Sequence, residues 1–146
     1  IAEGDGSRHR KRSKGKAMIA VDTNLLVRLL TNDDPLEAKR ALRVMESGDI
    51  LIPKTVLLET EWVLRHGYVI AREVIAQSFQ KLLGIPNVKA EDQQAVTQAL
   101  RWYQEGLDFA DALHLASSAK ADRFATFDKD FIKKASKLGS VEVFKP

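Results

Sequence analysis

The stretch MIAVDTNLLVRLL at residues 18–30 decides the fold class, because a strand pattern runs directly into a helix pattern. Residues 18–21 form the short, continuous apolar run that is typical of a strand buried on both faces. After Asp22, leucines occur at positions 25, 26, 29 and 30, which is the spacing of an amphipathic helix. A buried strand followed by a helix is the repeating unit of a parallel α/β sheet.

The same alternation of strand and helix patterns continues to the end of the chain. Short strands are predicted at residues 50–52, 87–89, 123–127 and 141–144, and helical patterns lie between them. Asp34 followed by Pro35 predicts a helix start, and Thr55 is expected to cap the next helix. The sequence therefore predicts one α/β domain over residues 18–146, built around a parallel sheet.

The composition excludes several classes of protein. The chain has 146 residues, 45% hydrophobic and 29% charged, which is typical of one globular domain and not of a disordered chain. It has no cysteine, so disulfide scaffolds, thiolate zinc sites and cysteine nucleophiles are excluded. No apolar run approaches the roughly 18 residues of a membrane-spanning helix or forms a signal peptide core. We therefore expect a cytoplasmic protein without a membrane partner.

The positive net charge is concentrated at the start of the chain. Residues 1–17 carry a net charge of +4 and the whole chain +3, which leaves −1 for residues 18–146. The first 17 residues could be a disordered basic arm that is attracted to phosphate. They could also be a remnant of cloning or of an upstream reading frame, because Met18 directly precedes the first strand pattern. Residues 1–17 are therefore not used to predict the fold.

Two carboxylates follow predicted strands, namely Asp22 and Asp128. In open α/β sheets the ligand crevice lies at the carboxyl ends of the strands. Aspartate is also one of the preferred residues for capping the N-terminus of a helix. Both roles, ligand and cap, stay open for each residue.

Other acids lie within predicted helices. Glu61 has Arg65 four residues later, so we expect an ion pair on the surface of the helix. Glu59 has no cation four residues away on either side and lies beside an apolar arc, which leaves its carboxylate unexplained. Asp108 is explained as an N-cap, whereas Asp111 could also face the small residues of its helix.

Together these acids suggest a metal site. Carboxylates that gather in one crevice repel one another unless a cation is present. A site made only of oxygen ligands suits Mg²⁺ or Mn²⁺, and such a cation can activate water to attack a phosphodiester. The four candidates are Asp22, Glu59, Asp111 and Asp128.

Four segments carry a resemblance to a known family: IAVDTNLLVRLL at 19–30, TVLLETEWVL at 55–64, GLDFADALHLASS at 106–118 and FATFDKDF at 124–131. In this order they resemble the signature segments of the PIN-domain nucleases, in particular the VapC toxins of toxin–antitoxin pairs. The resemblance implies a three-layer α/β/α sandwich and a Mg²⁺-dependent endoribonuclease that is usually a homodimer silenced by a cognate antitoxin. It also implies catalytic and metal-binding roles for Asp22, Glu59, Asp111 and Asp128, with Asn24, Asp108 and Thr126 as supporting residues.

Other α/β classes lack their signatures in this chain. Pro53 follows the second strand, where a response-regulator receiver domain needs a phosphoacceptor aspartate. Asn24 stands where a haloacid-dehalogenase phosphatase has its second aspartate, and no glycine-rich dinucleotide loop follows the first strand. Two alternatives remain open: a PIN-like module that binds RNA or an antitoxin without significant catalysis, and a nuclease of RNA maturation.

RNA binding would need local basic patches, because residues 18–146 carry no net positive charge. Two clusters lie on predicted helices, and either could bind phosphate or simply be solvated helix surface. The first contains Arg28, Lys39, Arg40 and Arg43, and the second contains Lys129, Lys133, Lys134 and Lys137.

Overall fold

A computed structural model describes residues 17–146, and its elements follow the predicted order. Its strands are Met18–Ala20 (β1), Asp49–Ile52 (β2), Val88–Ala90 (β3), Arg123–Ala125 (β4) and Glu142–Phe144 (β5). Its helices are Thr23–Thr31 (α1), Pro35–Glu46 (α2), Lys54–Trp62 (α3), Arg72–Leu83 (α4), Gln93–Gln104 (α5), Phe109–Ala116 (α6) and Lys129–Ala135 (α7).

Every strand pair in residues 17–146 is parallel. β2 lies between β1 and β3 in one sheet, with Ile50 opposite Ile19 on one side and Val88 on the other. β4 and β5 form a second, two-stranded sheet. Parallel neighbours require helical crossovers, which the intervening helices supply. The predicted α/β class with a parallel sheet is confirmed.

The core is formed by β2 and by the apolar faces of the helices. Ile50 and Ile52, which lie on one face of the central strand β2, are fully buried, whereas Asp49 and Leu51 on the other face are partly buried. On the helices, the fully buried residues include Leu26 of α1, Leu57 of α3 and Phe109 of α6. α1 packs against α3, and α3 packs against α6, so the helices that carry most of the candidate acids are neighbours.

The third helix differs from its prediction at both ends. It begins directly after Pro53, whose extended backbone (φ −61°, ψ 148°) and carbonyl already start the helix, so the predicted cap by Thr55 is wrong. After Trp62 the helix widens into a π-helical turn, Val63–Gly67, which ends at a glycine as expected. π-helical turns are rare and often lie at functional sites.

The fourth strand is shorter than predicted and ends at Ala125, although the Thr126 amide still donates to the Phe144 carbonyl at 2.9 Å.

The expectation for residues 1–17 lies outside the described residues apart from Ala17, whose carbonyl accepts a hydrogen bond from the Asp49 amide. Between residues 17 and 146, no helix is long and apolar enough to cross a membrane.

Candidate active site

Three of the candidate acids lie at helix N-termini, where each is bound by backbone amides. Asp22 caps α1, Asp108 caps α6 and Asp128 caps α7, so the cap predicted for Asp108 is confirmed and the capping role left open for Asp22 and Asp128 is correct. Each makes its cap bonds through one carboxylate oxygen, whereas a carboxylate has two oxygens and about four lone-pair sites. Capping therefore fixes these carboxylates without using up their capacity to bind a ligand.

A hydrogen bond between two helices places Glu59 beside the start of α1. The Thr23 hydroxyl donates to Glu59 Oε1 at 2.6 Å, and Thr23 directly follows Asp22 in the chain. Thr23 is buried, whereas Glu59 is exposed to solvent. Asp22, Thr23 and Glu59 form what we call the α1–α3 group.

Sequence reasoning missed Thr23 because its partner lies 36 residues away. The available signal is a hydroxyl residue that directly follows a strand-end acid and occupies the first helical position.

A second set of acids lies between α6 and α7. Partial burial raises the pKa of Asp111, and the nearby carboxylates of Asp108 and Asp128 raise it further. His114 and Lys134 lower the pKa of Asp111, but they offset only part of this increase. Asp108, Asp111 and Asp128 therefore share one region of negative charge that nearby cations compensate only in part, which we call the α6–α7 group.

The two remaining supporting residues lie in different places. The Thr126 hydroxyl accepts a hydrogen bond from the Asp128 amide at 3.1 Å, which holds the turn that presents this aspartate. Asn24 lines a separate cavity of about 290 Å³ between α1 and α2. Thr126 therefore lies beside Asp128, whereas the supporting role of Asn24 stays a prediction.

One cavity contacts both acidic groups. It has a volume of about 730 Å³ and lies between α3 with its π-helical turn and the start of α6. Glu59 of the α1–α3 group and Asp108 of the α6–α7 group both line it. Its other lining residues are Thr55, Leu58, Glu61, Trp62, Arg65, His66 and Ala110.

The donor set fits a hard divalent cation. Its ligands would all be carboxylate oxygens, and a cation would relieve both causes of the raised pKa of Asp111, which are burial of its charge and repulsion by Asp108 and Asp128. In the part of the chain that the structure describes, no three acidic or histidine side chains already have the spacing of a metal site. The convergence of Asp22, Glu59, Asp111 and Asp128 on one cation therefore stays a prediction.

Glu61 corrects one expectation about the third helix. Its predicted partner is right, because Arg65 Nε donates to Glu61 Oε2 at 2.6 Å, but the expected surface location is wrong. Glu61 is only 1% exposed, and the buried Tyr103 hydroxyl donates to the same oxygen at 2.8 Å. Glu61 is therefore held within the core, and Glu59 is the glutamate of this helix that solvent and a ligand can reach.

Comparison with protein families identifies the fold. The family model described as PIN domain matches residues 19–137, which is most of the chain. The chain belongs to the PIN domain family. PIN domains are typically metal-dependent nucleases that use divalent ions and bind RNA. The comparison with curated proteins finds no match.

Proposed function

We propose that this PIN domain is a Mg²⁺-dependent endoribonuclease that hydrolyses RNA phosphodiester bonds, with Mn²⁺ as an alternative cation. The observation that supports it most is that carboxylates from separate helices gather in one region, with Asp111 close to Asp108 and Asp128 and with Asp108 and Glu59 lining one cavity. Acids that only cap helices need no such neighbours, whereas a site for a divalent cation needs several. Family membership supports the same reaction class.

The proposed roles follow from how the side chains are held. Asp22, Glu59, Asp111 and Asp128 would hold the cation. When bound, a divalent cation supplies an activated water and neutralises charge on the phosphate. The Thr23 hydroxyl orients Glu59, and backbone amides at the helix starts orient Asp22 and Asp128. These contacts fix the acids before RNA binds, so little reorganisation accompanies the reaction.

Of the two basic clusters, the one on α7 is better placed to bind RNA. Arg28 of the first cluster is already paired with Asp33 and Glu37, at 3.2 and 2.8 Å, which neutralises much of its charge. α7 begins directly after Asp128 and carries exposed lysines at 129 and 133, and exposed Lys137 follows in the turn after the helix. We infer that this face of α7 guides the phosphate backbone towards Asp128.

The ordered motifs of the chain support a more specific role. We propose that the protein is the toxin of a toxin–antitoxin pair and acts as a homodimer that a cognate antitoxin protein silences. A gene for a small partner protein beside this one, whose product blocks RNA cleavage when co-purified, would support this role. Unimpeded cleavage in the presence of that product would count against it.

The chemistry of the RNA ends tests the proposed reaction. If water is the nucleophile, the 2′-hydroxyl takes no part, and we expect products with 5′-phosphate and 3′-hydroxyl ends. The measurement is sequencing of RNA ends after incubation with Mg²⁺ and with EDTA, with D22N as the inactive control. Ends carrying a 2′,3′-cyclic phosphate, or cleavage that persists in EDTA, would contradict this mechanism.

A further inference from the structure

Trp62 is a large exposed side chain that the proposed reaction does not use. It is 58% exposed and lines the 730 Å³ cavity together with Glu59. Its ring lies against the His66 ring, with centroids 4.7 Å apart and planes inclined at 42°. The exposed indole ring, supported by His66 inside a concave surface, offers a flat apolar face to a ligand.

The aromatic pair shares a helix face with a proposed metal ligand. Thr55, Glu59, Trp62 and His66 follow one another at spacings of four, three and four residues, and all of them line the cavity. At these spacings helical side chains are neighbours on one face. Trp62 lies about 4.5 Å further along the helix axis than Glu59, which is less than one turn. A group bound at Glu59 therefore has the indole ring directly beside it.

The charges of the cavity indicate what the aromatic pair would bind. Arg65 is held by Glu61 at 2.6 Å and lies 3.7 Å from Asp108, so its positive charge is already paired. The exposed carboxylate of Glu59 would repel an acidic ligand in the absence of a cation. Trp62 and His66 are therefore suited to stack against an uncharged planar ring, and nucleobases are such rings.

A second copy of the chain is a less suitable occupant. The centres of protein–protein interfaces are depleted in charged residues. Trp62 instead has a carboxylate three residues before it, and the same cavity contains Asp108 and Arg65.

We propose that Trp62 and His66 form a stacking platform for the nucleobase next to the phosphate that is cleaved. This proposal rests on the ribonuclease function proposed above and adds a base-binding subsite to it. Because every nucleobase has a π-face, the platform supplies affinity and positioning without strict sequence preference. The reacting phosphate would be held near Glu59 through the divalent cation that this carboxylate is proposed to bind, and the adjacent base would lie over the indole.

A binding experiment with base deletions tests the platform. In Mg²⁺, a short single-stranded RNA with phosphorothioate linkages that resist cleavage, and a set of copies with one abasic position each, are titrated against wild type, W62A and W62F. Loss of one stacked base weakens binding by roughly 5- to 150-fold. We expect binding to weaken by this factor for W62A with the intact RNA, and for the wild type with one of the abasic copies. The same abasic copy should not weaken W62A further, and W62F should recover much of the affinity.

Tryptophan fluorescence gives an independent readout. The chain has two tryptophans, and Trp102 is buried, so quenching by RNA reports mainly on Trp62. We expect quenching by intact RNA in the wild type and its loss in W62F. L36A is the matched control, because Leu36 is an exposed apolar residue on α2 outside the cavity, and it should bind RNA like the wild type.

The outcomes separate this inference from the proposed function. Wild type that binds RNA with the expected dependence on Trp62 but never cleaves it would overturn the nuclease proposal alone. Cleavage by the wild type together with unchanged RNA binding by W62A would overturn the stacking platform alone. W62A that binds RNA normally but changes the molecular mass in solution would assign this surface to a second copy and overturn the platform. Wild type that binds no RNA would also overturn it.

Discussion

Replacing Asp111 with asparagine is expected to reduce Mg²⁺-dependent RNA cleavage by at least about a hundredfold, because even outer partners of metal ligands contribute about 10- to 100-fold. Without metal, we expect D111N to be as stable as the wild type or more stable. Burial and the carboxylates of Asp108 and Asp128 raise the pKa of Asp111, so its negative charge opposes folding. This penalty is absent in acid, appears as the pH rises through the raised pKa, and is fully present above it.

Initial cleavage rates in Mg²⁺ would measure the first effect. Thermal melts in EDTA, at neutral and at acidic pH, would measure the effect on stability. D130N is the matched control, because Asp130 is an exposed acid near Asp128 with no proposed role in the metal site. The stability difference between D111N and wild type should shrink in acid, where both side chains are neutral. Normal cleavage by D111N would contradict the assignment of Asp111.

Replacing Arg65 with methionine is expected to destabilise the fold by about 2–3 kcal/mol, because it leaves the buried Glu61 carboxylate without its cation, although Arg65 itself is 26% exposed. Glu61 is 1% exposed, and only the Tyr103 hydroxyl would remain hydrogen-bonded to its carboxylate. For a chain of this size, each kcal/mol lowers Tm by roughly 2–4 °C. Urea unfolding of wild type and R65M would measure the difference.

The controls distinguish a buried pair from a surface pair. Lys134 and Asp130 form an exposed pair at the same four-residue spacing, 3.4 Å apart, so K134M should cost only about 0.3–0.5 kcal/mol. The double variant E61L/R65M should recover stability relative to R65M, because it removes the unpaired buried charge. Equal losses for R65M and K134M would contradict the buried environment of Glu61.

The sequence predicts the elements of this fold well because apolar spacing is a local property. The run from Met18 to Val21, the leucines of α1 and the Asp34–Pro35 helix start all depend on near neighbours in the chain. The Thr55 cap failed because the sequence does not reveal that Pro53 already sets the backbone for the helix start.

The site depends on contacts that the sequence does not reveal. Burial of Glu61 requires Tyr103, 42 residues later, and the orientation of Glu59 requires Thr23, 36 residues earlier. Charge spacing ranks Glu59 above Glu61 as a candidate ligand, and the opposite burial of the two residues supports this ranking for a different reason. The sequence offers capping and metal binding as alternatives for Asp22, although one carboxylate can serve both roles.

Titration of Mn²⁺ into the protein tests the central claim, which is that acids from separate helices hold one cation. Calorimetry would compare wild type, D111N, E59Q and the D130N control, each with and without a phosphorothioate RNA oligonucleotide. We expect wild type and D130N to bind Mn²⁺ alike, and both D111N and E59Q to bind it at least about tenfold more weakly. Equal Mn²⁺ binding by all four proteins, or no binding by the wild type even with RNA present, would contradict the account.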